Sequence, residues 1–202
     1  MKAEQTKPVI VLDAGGVMVE FDLNLIFKKL ARRFGVRVDA AAPVDLNALF
    51  HPLEVGKQPW DIIPPALNQS LGLSLDSEQW RDLCTGIFTG EVPGMRETLS
   101  CLKSGFMLIA LSNTIEVHWK YLIKKYPIFK LLDGWVVSYQ EGVVKPDPAI
   151  YRAVSDRYCG GHPPFYFTDD TPENVEAAIR LGWEAEIFSD APSFRKEIKR
   201  RL

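Results

Sequence analysis

Short, continuous runs of apolar residues recur along the chain, and each is followed by glycine or by polar residues. The first run covers residues 9–12 and is followed by Asp13. After Ala14 come two glycines, Gly15 and Gly16. Runs of this kind, without alternation, are typical of strands that are buried on both faces of a parallel sheet. The same pattern predicts four later strands, at residues 106–111, 135–138, 165–167 and 185–188.

Segments with helical spacing of apolar residues separate these later strands. They cover residues 95–103, 116–126, 149–158 and 175–181. Pro172 suits the first turn of the last of these helices, and Gly182 suits its end. Strand and helix alternate, which predicts an α/β fold with a doubly wound, three-layer, Rossmann-like parallel sheet.

The stretch from Leu23 to Gly90 differs because it contains no convincing buried strand. Apolar residues recur there at helical spacing, although Pro64 and Pro65 interrupt one of the patterns. The last pattern extends through Ile87 and Phe88, which predicts a helix there. We therefore expect a small all-α cap at residues 21–90, inserted into a core domain that consists of residues 1–20 and 91–202.

Composition and charge exclude several classes of partner. With 24 basic and 26 acidic residues, the formal charge is -2, so no basic field is available to hold nucleic acid. No apolar run approaches the roughly 20 residues that a membrane helix needs. Residues 1–7 are polar, unlike a signal peptide, and the three cysteines lack metal-type spacing, so we expect a cytoplasmic protein. The oligomeric state cannot be inferred.

Polar residues follow four of the predicted elements. In open α/β sheets, ligands bind at the carboxyl ends of the strands, and Asp13, Ser112–Asn113, Lys145 and Asp169–Asp170 are expected to meet there. Asp13 is a candidate carboxylate nucleophile, and Asp13 with Asp170 offers the oxygen ligands that magnesium prefers. Ser112 and the following helix start suit a phosphoryl group, and Lys145 supplies a fixed positive charge. Taken singly, each motif also fits a turn, a helix cap or a surface lysine.

Four motifs in order carry a resemblance to a known family. They are VIVLDAGGV at 9–17, LSNT at 111–114, VKPDPAIY at 144–151 and FTDDTPEN at 167–174. At these residues the sequence resembles the haloacid dehalogenase superfamily, in the subclass with a helical cap after the first strand. The resemblance implies a phosphatase that acts on a small phosphorylated metabolite, similar to a sugar phosphate, with Mg²⁺ as cofactor.

The resemblance also implies roles for individual residues. Asp13 matches the aspartate that becomes phosphorylated, and Asp13, the Gly15 carbonyl and Asp170 match the metal ligands. It implies that Ser112, Asn113 and Lys145 bind the phosphate and that Asp169 and Asn174 are supporting residues.

One position departs from the family pattern. Phosphatases of the family usually carry a second aspartate, a general acid and base, where this chain has Gly15. Its loss would weaken turnover of poor leaving groups, since such catalysis is worth roughly 10²–10⁴-fold; Glu20 or Asp22 are candidate substitutes. The alternatives are a 2-haloacid dehalogenase, which the Asp169–Asp170 pair disfavours, and a catalytically weak or silent protein that binds a phosphate ligand or a partner.

Within the predicted cap, three aromatic residues are candidate substrate contacts. They are Phe50, Trp60 and Trp80, and the alternative for each is packing inside the cap.

Overall fold

A parallel β-sheet lies at the centre of the molecule, whose computed structural model describes residues 7–36 and 45–202. The strands are β1 (Val9–Leu12), β2 (Val19–Phe21), β3 (Phe88–Glu91), β4 (Met107–Ser112), β5 (Gly134–Val137), β6 (Tyr166–Asp169) and β7 (Ala185–Ile187). Five of them form the sheet in the order β5-β4-β1-β6-β7, and all neighbours are parallel.

The central strands β4, β1 and β6 are buried on both faces, which explains their uninterrupted apolar runs. In β1, Ile10 and Leu12 pack into one hydrophobic cluster, whereas Val9 and Val11 pack into a second. Successive side chains of a strand point to opposite faces, so a strand between two helical layers needs an apolar residue at every position. The predicted α/β fold class is confirmed.

Helices cover the two faces and connect the strands. They are α1 (Asn24–Phe34), α2 (Leu46–Glu54), α3 (Ile63–Leu71), α4 (Ser77–Thr85), α5 (Met95–Leu102), α6 (Glu116–Lys125), α7 (Ser138–Glu141), α8 (Pro148–Tyr158), α9 (Pro172–Arg180) and α10 (Ala191–Arg201), with short 3₁₀ helices at Trp60–Ile62 and Pro127–Leu131. The helices and strands predicted for the core are present, with ends displaced by a few residues. Nowhere in the described ranges is a helix long and apolar enough to cross a membrane.

Helices α1 to α4 share a hydrophobic cluster, which includes Trp60 and Trp80 and extends to Ile115, just before α6. Helix α4 begins with a capping box, in which the Asp76 carboxylate accepts from the Gln79 N–H and the Gln79 side chain accepts from the Asp76 N–H. Helix α3 carries its two prolines in the first turn, where a missing N–H leaves no helical bond unmade. The prolines therefore begin this helix and do not interrupt it.

A two-stranded antiparallel hairpin corrects the prediction for this stretch. Helix α4 ends at Thr85, and Phe88 begins β3, which pairs with β2. The expectation of a helix through Phe88 was wrong, because β3 begins at that residue; β3 has only 4 residues, none of them buried, and so lacks the apolar run by which the buried strands were found. The hairpin spans both expected boundaries, 20/21 and 90/91, so the division into two domains stays a prediction.

Candidate active site

Three neighbouring strands of the sheet end in the polar residues singled out from the sequence. Asp13 follows β1, Ser112 ends β4 and Asp169 ends β6, with Asp170 directly after it. Strand β1 lies between β4 and β6, so these side chains are adjacent. The Asp13 N–H donates to the Thr168 carbonyl at 3.0 Å, which fixes the end of β1 against β6. The expected gathering at one edge of the sheet is observed.

Lys145, in the loop before α8, forms ion pairs with two of the carboxylates. Its Nζ donates to Asp13 Oδ1 at 2.7 Å, to Asp169 Oδ2 at 2.5 Å and to the Leu111 carbonyl at 2.9 Å. An ammonium has three donors, and all are satisfied in this way. Burial by itself would lower the pKa of Lys145, but the charges of the two carboxylates outweigh burial and raise it, so the side chain stays cationic.

Both carboxylate oxygens of Asp169 accept hydrogen bonds from other groups of the protein. Its Oδ1 accepts from the Thr171 N–H at 2.9 Å and from Asn174 Nδ2 at 3.0 Å, while its Oδ2 holds Lys145. The Asn174 carbonyl in turn accepts from the Tyr151 hydroxyl at 2.9 Å. These contacts fit the supporting positions that the resemblance implied for Asp169 and Asn174, because both side chains orient the lysine and the loop.

The three carboxylates form a cluster that fits a divalent cation. Oxygen atoms of Asp13, Asp169 and Asp170 lie within 4.8 Å of one another. Burial raises the pKa of Asp13 to about 7, with Lys145 opposing the shift, and burial also raises the pKa of Asp170. Three carboxylates face one ammonium here, so a hard divalent cation such as Mg²⁺ would balance the excess charge and accept oxygen ligands. The condition that Asp13 and Asp170 can share one cation is met.

Two glycines after Asp13 shape this cluster. A Cβ at Gly16 would lie 2.1 Å from Asp170 Oδ2, and the backbone there has a φ of +74°, so glycine is required on both counts. A Cβ at Gly15 would lie 3.1 Å from Cε1 of Phe21, whose ring covers the side-chain direction of that position. The close approach at Gly16 was missed from sequence, where the glycine pair indicated only a turn. The role of the Gly15 carbonyl as a ligand stays a prediction.

Ser112 and Asn113 have different surroundings. Ser112 is buried and lines the same cavity as Asp13. The Asn113 side chain pairs with the main chain of Lys145, since its Nδ2 donates to the Lys145 carbonyl at 2.9 Å and its Oδ1 accepts from the Lys145 N–H at 2.7 Å. This side chain therefore positions Lys145, and the contact between Asn113 and phosphate stays a prediction.

A cavity of about 350 Å³ lies over the cluster, between the edge of the sheet and the inserted helices. Asp13, Lys145 and Asp170 line one end of it, and apolar side chains from the insertion line much of the rest. Of the three aromatic candidates, Phe50 lines this cavity, whereas Trp60 and Trp80 are buried in the cluster of the inserted helices.

Neither suggested substitute for the missing acid lines the cavity in the described part of the chain. Asp22 accepts from the Asn24 N–H at 2.8 Å, and this bond holds the pKa of Asp22 below its usual range. Asp22 also pairs with Lys28 at 3.3 Å. Glu20 is exposed. The contacts of Asp22 are those of a helix-start residue and do not support the role of a general acid, and Glu20 does not line the cavity.

Comparison with known proteins gives consistent matches over nearly the whole chain. The family model described as haloacid dehalogenase-like hydrolase matches residues 8–182. The D-ribitol-5-phosphate phosphatase of Bacteroides thetaiotaomicron is 25% identical over 199 residues, which cover 94% of this chain and 95% of that protein.

Solved structures show the same fold. A predicted HAD-like family hydrolase from Porphyromonas gingivalis matches with a TM-score of 0.79 and 24% identity, covering 96% of this chain and 97% of its own. A HAD family enzyme from Bacteroides thetaiotaomicron, solved in complex with magnesium and inorganic phosphate, matches with a TM-score of 0.78 and 20% identity over 91% and 95% of the two chains.

Proposed function

Since the chain belongs to the haloacid dehalogenase-like hydrolase family, we propose that it is a magnesium-dependent phosphatase that hydrolyses a small phosphomonoester through an aspartyl-phosphate on Asp13. The observation that carries the proposal is the position of Asp13, which is held by Lys145 and lies within reach of a second carboxylate, Asp170. A nucleophile, a fixed positive charge and oxygen ligands for a cation thus share one end of a cavity.

The proposed reaction has two steps. In the first, a carboxylate oxygen of Asp13 forms a bond to phosphorus while the bond from phosphorus to the ester oxygen breaks; the leaving group departs with the electron pair as an alkoxide or other oxyanion and takes a proton from water. In the second, water attacks the aspartyl-phosphate, inorganic phosphate leaves and the Asp13 carboxylate is regenerated. Lys145 holds Asp13 Oδ1, which leaves the other oxygen for attack, and Ser112, which lines the same cavity, would donate to a phosphoryl oxygen.

A magnesium ion would be held by Asp13, Asp170 and the carbonyl of Gly15. When bound, it supplies positive charge that offsets the repulsion between a carboxylate and a phosphate dianion. Asp169 and Asn174 keep Lys145 and the loop after β6 in place. Residues 21–90 would act as a helical cap that covers the site and excludes water.

A small phosphorylated metabolite is the proposed substrate. The relative named as a D-ribitol-5-phosphate phosphatase supports a sugar phosphate as the first compound class to examine. Gly15 favours substrates whose leaving groups depart more readily and so depend less on a general acid, such as sugar 1-phosphates and acyl phosphates.

Phosphate release from such a panel in the presence of Mg²⁺ tests the proposal. We expect Asp13→Asn to lose roughly 10³-fold or more of kcat, because the nucleophile is removed. Asp156→Asn, at an exposed position of α8, is the matched control and should match the wild type. Acid-quenched wild-type protein should carry a phosphate-sized mass increase on the peptide that contains Asp13. Equal release by wild type and Asp13→Asn would refute the assignment.

The packing of Phe21 over Gly15 favours a second candidate, a protein that binds a phosphate ligand with little or no turnover. It would bind magnesium with fluoroberyllate, a phosphate mimic, yet release no phosphate from the panel.

Dehalogenation by the same aspartate is the remaining alternative, and chloride release from 2-chloropropionate in the presence of EDTA would support it.

A further inference from the structure

The inserted helices bring to the cavity a carboxylate that the proposed chemistry does not use. Glu54, the last residue of α2, lines the same cavity as Asp13. Its side chain is 37% exposed, so a ligand in the cavity can reach the carboxylate. Glu54 Oε2 lies 3.8 Å from His51 Nδ1, and this contact is an ion pair only while the imidazole is protonated. Glu54 is therefore available to a charged or hydrogen-bonding group of a ligand.

Positive charge is scarce in the lining of this cavity. Among the lining residues within 7–36 and 45–202, Lys145 is the only lysine or arginine, and its ammonium already pairs with Asp13 at 2.7 Å and with Asp169 at 2.5 Å. A carboxylate in a cleft with apolar walls attracts a cation more strongly than the same group on an open surface, because the walls have a low dielectric constant. A positive group on the ligand would therefore be drawn to Glu54.

Aromatic side chains line the same part of the cavity. Phe50 lies four residues before Glu54 on α2, so the two share a face of that helix. Phe21 and Phe88 are paired across the hairpin, and the Phe88 ring meets the His118 ring edge-on, with 5.3 Å between centroids and an angle of 89°. Aromatic faces attract ammonium groups, especially alkylated ones, whereas the hydroxyl groups of a polyol would lose water there without gaining partners.

The missing acid at position 15 favours the same kind of leaving group. The Phe21 ring lies where a protonating side chain would extend from Gly15, so the ester oxygen would depart as an anion. An ammonium group two carbons away from that oxygen stabilises the developing negative charge by attraction over a short distance. The ester of such an alcohol therefore loses less from the absence of a general acid than the ester of an uncharged polyol.

We propose that Glu54 binds an ammonium group of the substrate beside the aromatic side chains, and that the substrate is the phosphate monoester of a small alcohol with a methylated ammonium group. The proposal rests on the proposed phosphatase function and narrows its substrate class away from sugar phosphates. Phosphocholine is a suitable probe, and its hydrolysis by the two steps given above yields choline and inorganic phosphate.

Three compounds test it, namely phosphocholine, its uncharged isostere 3,3-dimethylbutyl phosphate and D-ribitol 5-phosphate. The measured quantity is the ratio of kcat/KM for phosphocholine to kcat/KM for the isostere, and the intrinsic reactivities of the two esters cancel when variants are compared. We expect this ratio to fall roughly three- to fivefold in Glu54→Gln, the effect of one partly exposed ion pair. In Glu54→Lys it should fall about tenfold or more, because like charges repel. The control Glu78→Gln, exposed on α4, should keep the wild-type ratio.

Two results would overturn the proposal. One is an unchanged ratio in Glu54→Gln and Glu54→Lys with wild-type melting temperatures, and the other is a higher kcat/KM for D-ribitol 5-phosphate than for phosphocholine. Either would leave the phosphatase function intact. Dissociation constants of phosphocholine and its isostere, measured by calorimetry on Asp13→Asn with Mg²⁺, with and without Glu54→Lys, give the same comparison without turnover. A protein that hydrolysed nothing would therefore refute the proposed function while recognition by Glu54 was still decided.

Discussion

Restoring a side chain at position 15 measures how far its absence limits the enzyme. The substitution Gly15→Asp is compatible with the backbone, because Gly15 is not among the glycines with positive φ. Its Cβ would lie 3.1 Å from Cε1 and 3.4 Å from Cδ1 of Phe21, so the ring must move by a few tenths of an ångström. Phe21 is 44% exposed at the mouth of the cavity, which allows it to turn outwards.

The expected gain depends on the leaving group. A well-aligned general acid is worth roughly 10²–10⁴-fold, but the new carboxylate must share its space with the Phe21 ring. We therefore expect about tenfold for Gly15→Asp and about 10²-fold for Gly15→Asp combined with Phe21→Ala, both on an alkyl phosphate. For p-nitrophenyl phosphate, whose leaving group needs no proton, we expect a change below about threefold. Because the Phe21 ring is half exposed, its loss should cost about 1–2 kcal/mol, less than for a buried phenylalanine.

Phosphate release, measured as kcat/KM on D-ribitol 5-phosphate and p-nitrophenyl phosphate, is the assay. Phe21→Ala alone is the control for the wider cavity, and melting temperatures with and without Mg²⁺ control for folding and metal binding. If both substrates gained equally, or if the folded double variant gained nothing on the alkyl ester, the argument that Gly15 removes a general acid would be wrong.

Three further changes test the geometry of the site. Gly16→Ala would place a Cβ 2.1 Å from Asp170 Oδ2, so we expect the carboxylate to shift. The affinity for Mg²⁺, measured by calorimetric titration, should then fall roughly 10–100-fold. An unchanged affinity would contradict the close contact. Lys145→Met would leave two buried carboxylates without their ion pair. Urea unfolding without Mg²⁺ at pH 7 should show a free energy of unfolding that is lower by roughly 3–5 kcal/mol, whereas the exposed control Lys130→Met should show almost no change. Burial lowers the pKa of His118 from 6.5 to about 4, so on acidification the unfolded chain takes up this proton before the folded protein does. The free energy of unfolding should therefore decrease as the pH falls from about 6.5 towards 4. His118→Phe should show a weaker decrease, and an identical pH dependence would contradict a buried, neutral His118.

Much of the sheet and its catalytic edge could be predicted because local pattern and topology determine them together. The apolar run before Asp13 needs burial on both faces, which makes it a central strand, and β4 and β6 follow from the same argument. The ends of parallel strands meet at one edge, so the proximity of Asp13, Ser112 and Asp169 required no knowledge of distant contacts.

Other features depend on contacts that no local pattern contains. The Asn113 side chain bonds to Lys145 through both of its polar atoms, and the ring that packs against His118 belongs to Phe88 of β3. A helical pattern around His118 shows only that it lies on a helix. Its contact with Phe88 joins segments that are far apart in the chain, so it could be learned only from the fold.

The hairpin that the sequence pattern missed accounts for both unusual features of the cavity. Phe21 of β2 and Phe88 of β3 are paired across its register; the first covers Gly15, and the second contacts His118. The register shifts between Glu20 and Phe21, and such irregularities re-aim side chains near active sites. The carboxylate cluster is built on the central strands and the loops after them, whereas Phe21 and Phe88 belong to a short, partly exposed pair of strands that lines the same cavity. We therefore expect substitutions in the hairpin to change the shape of the cavity while Asp13 and its partners stay in place.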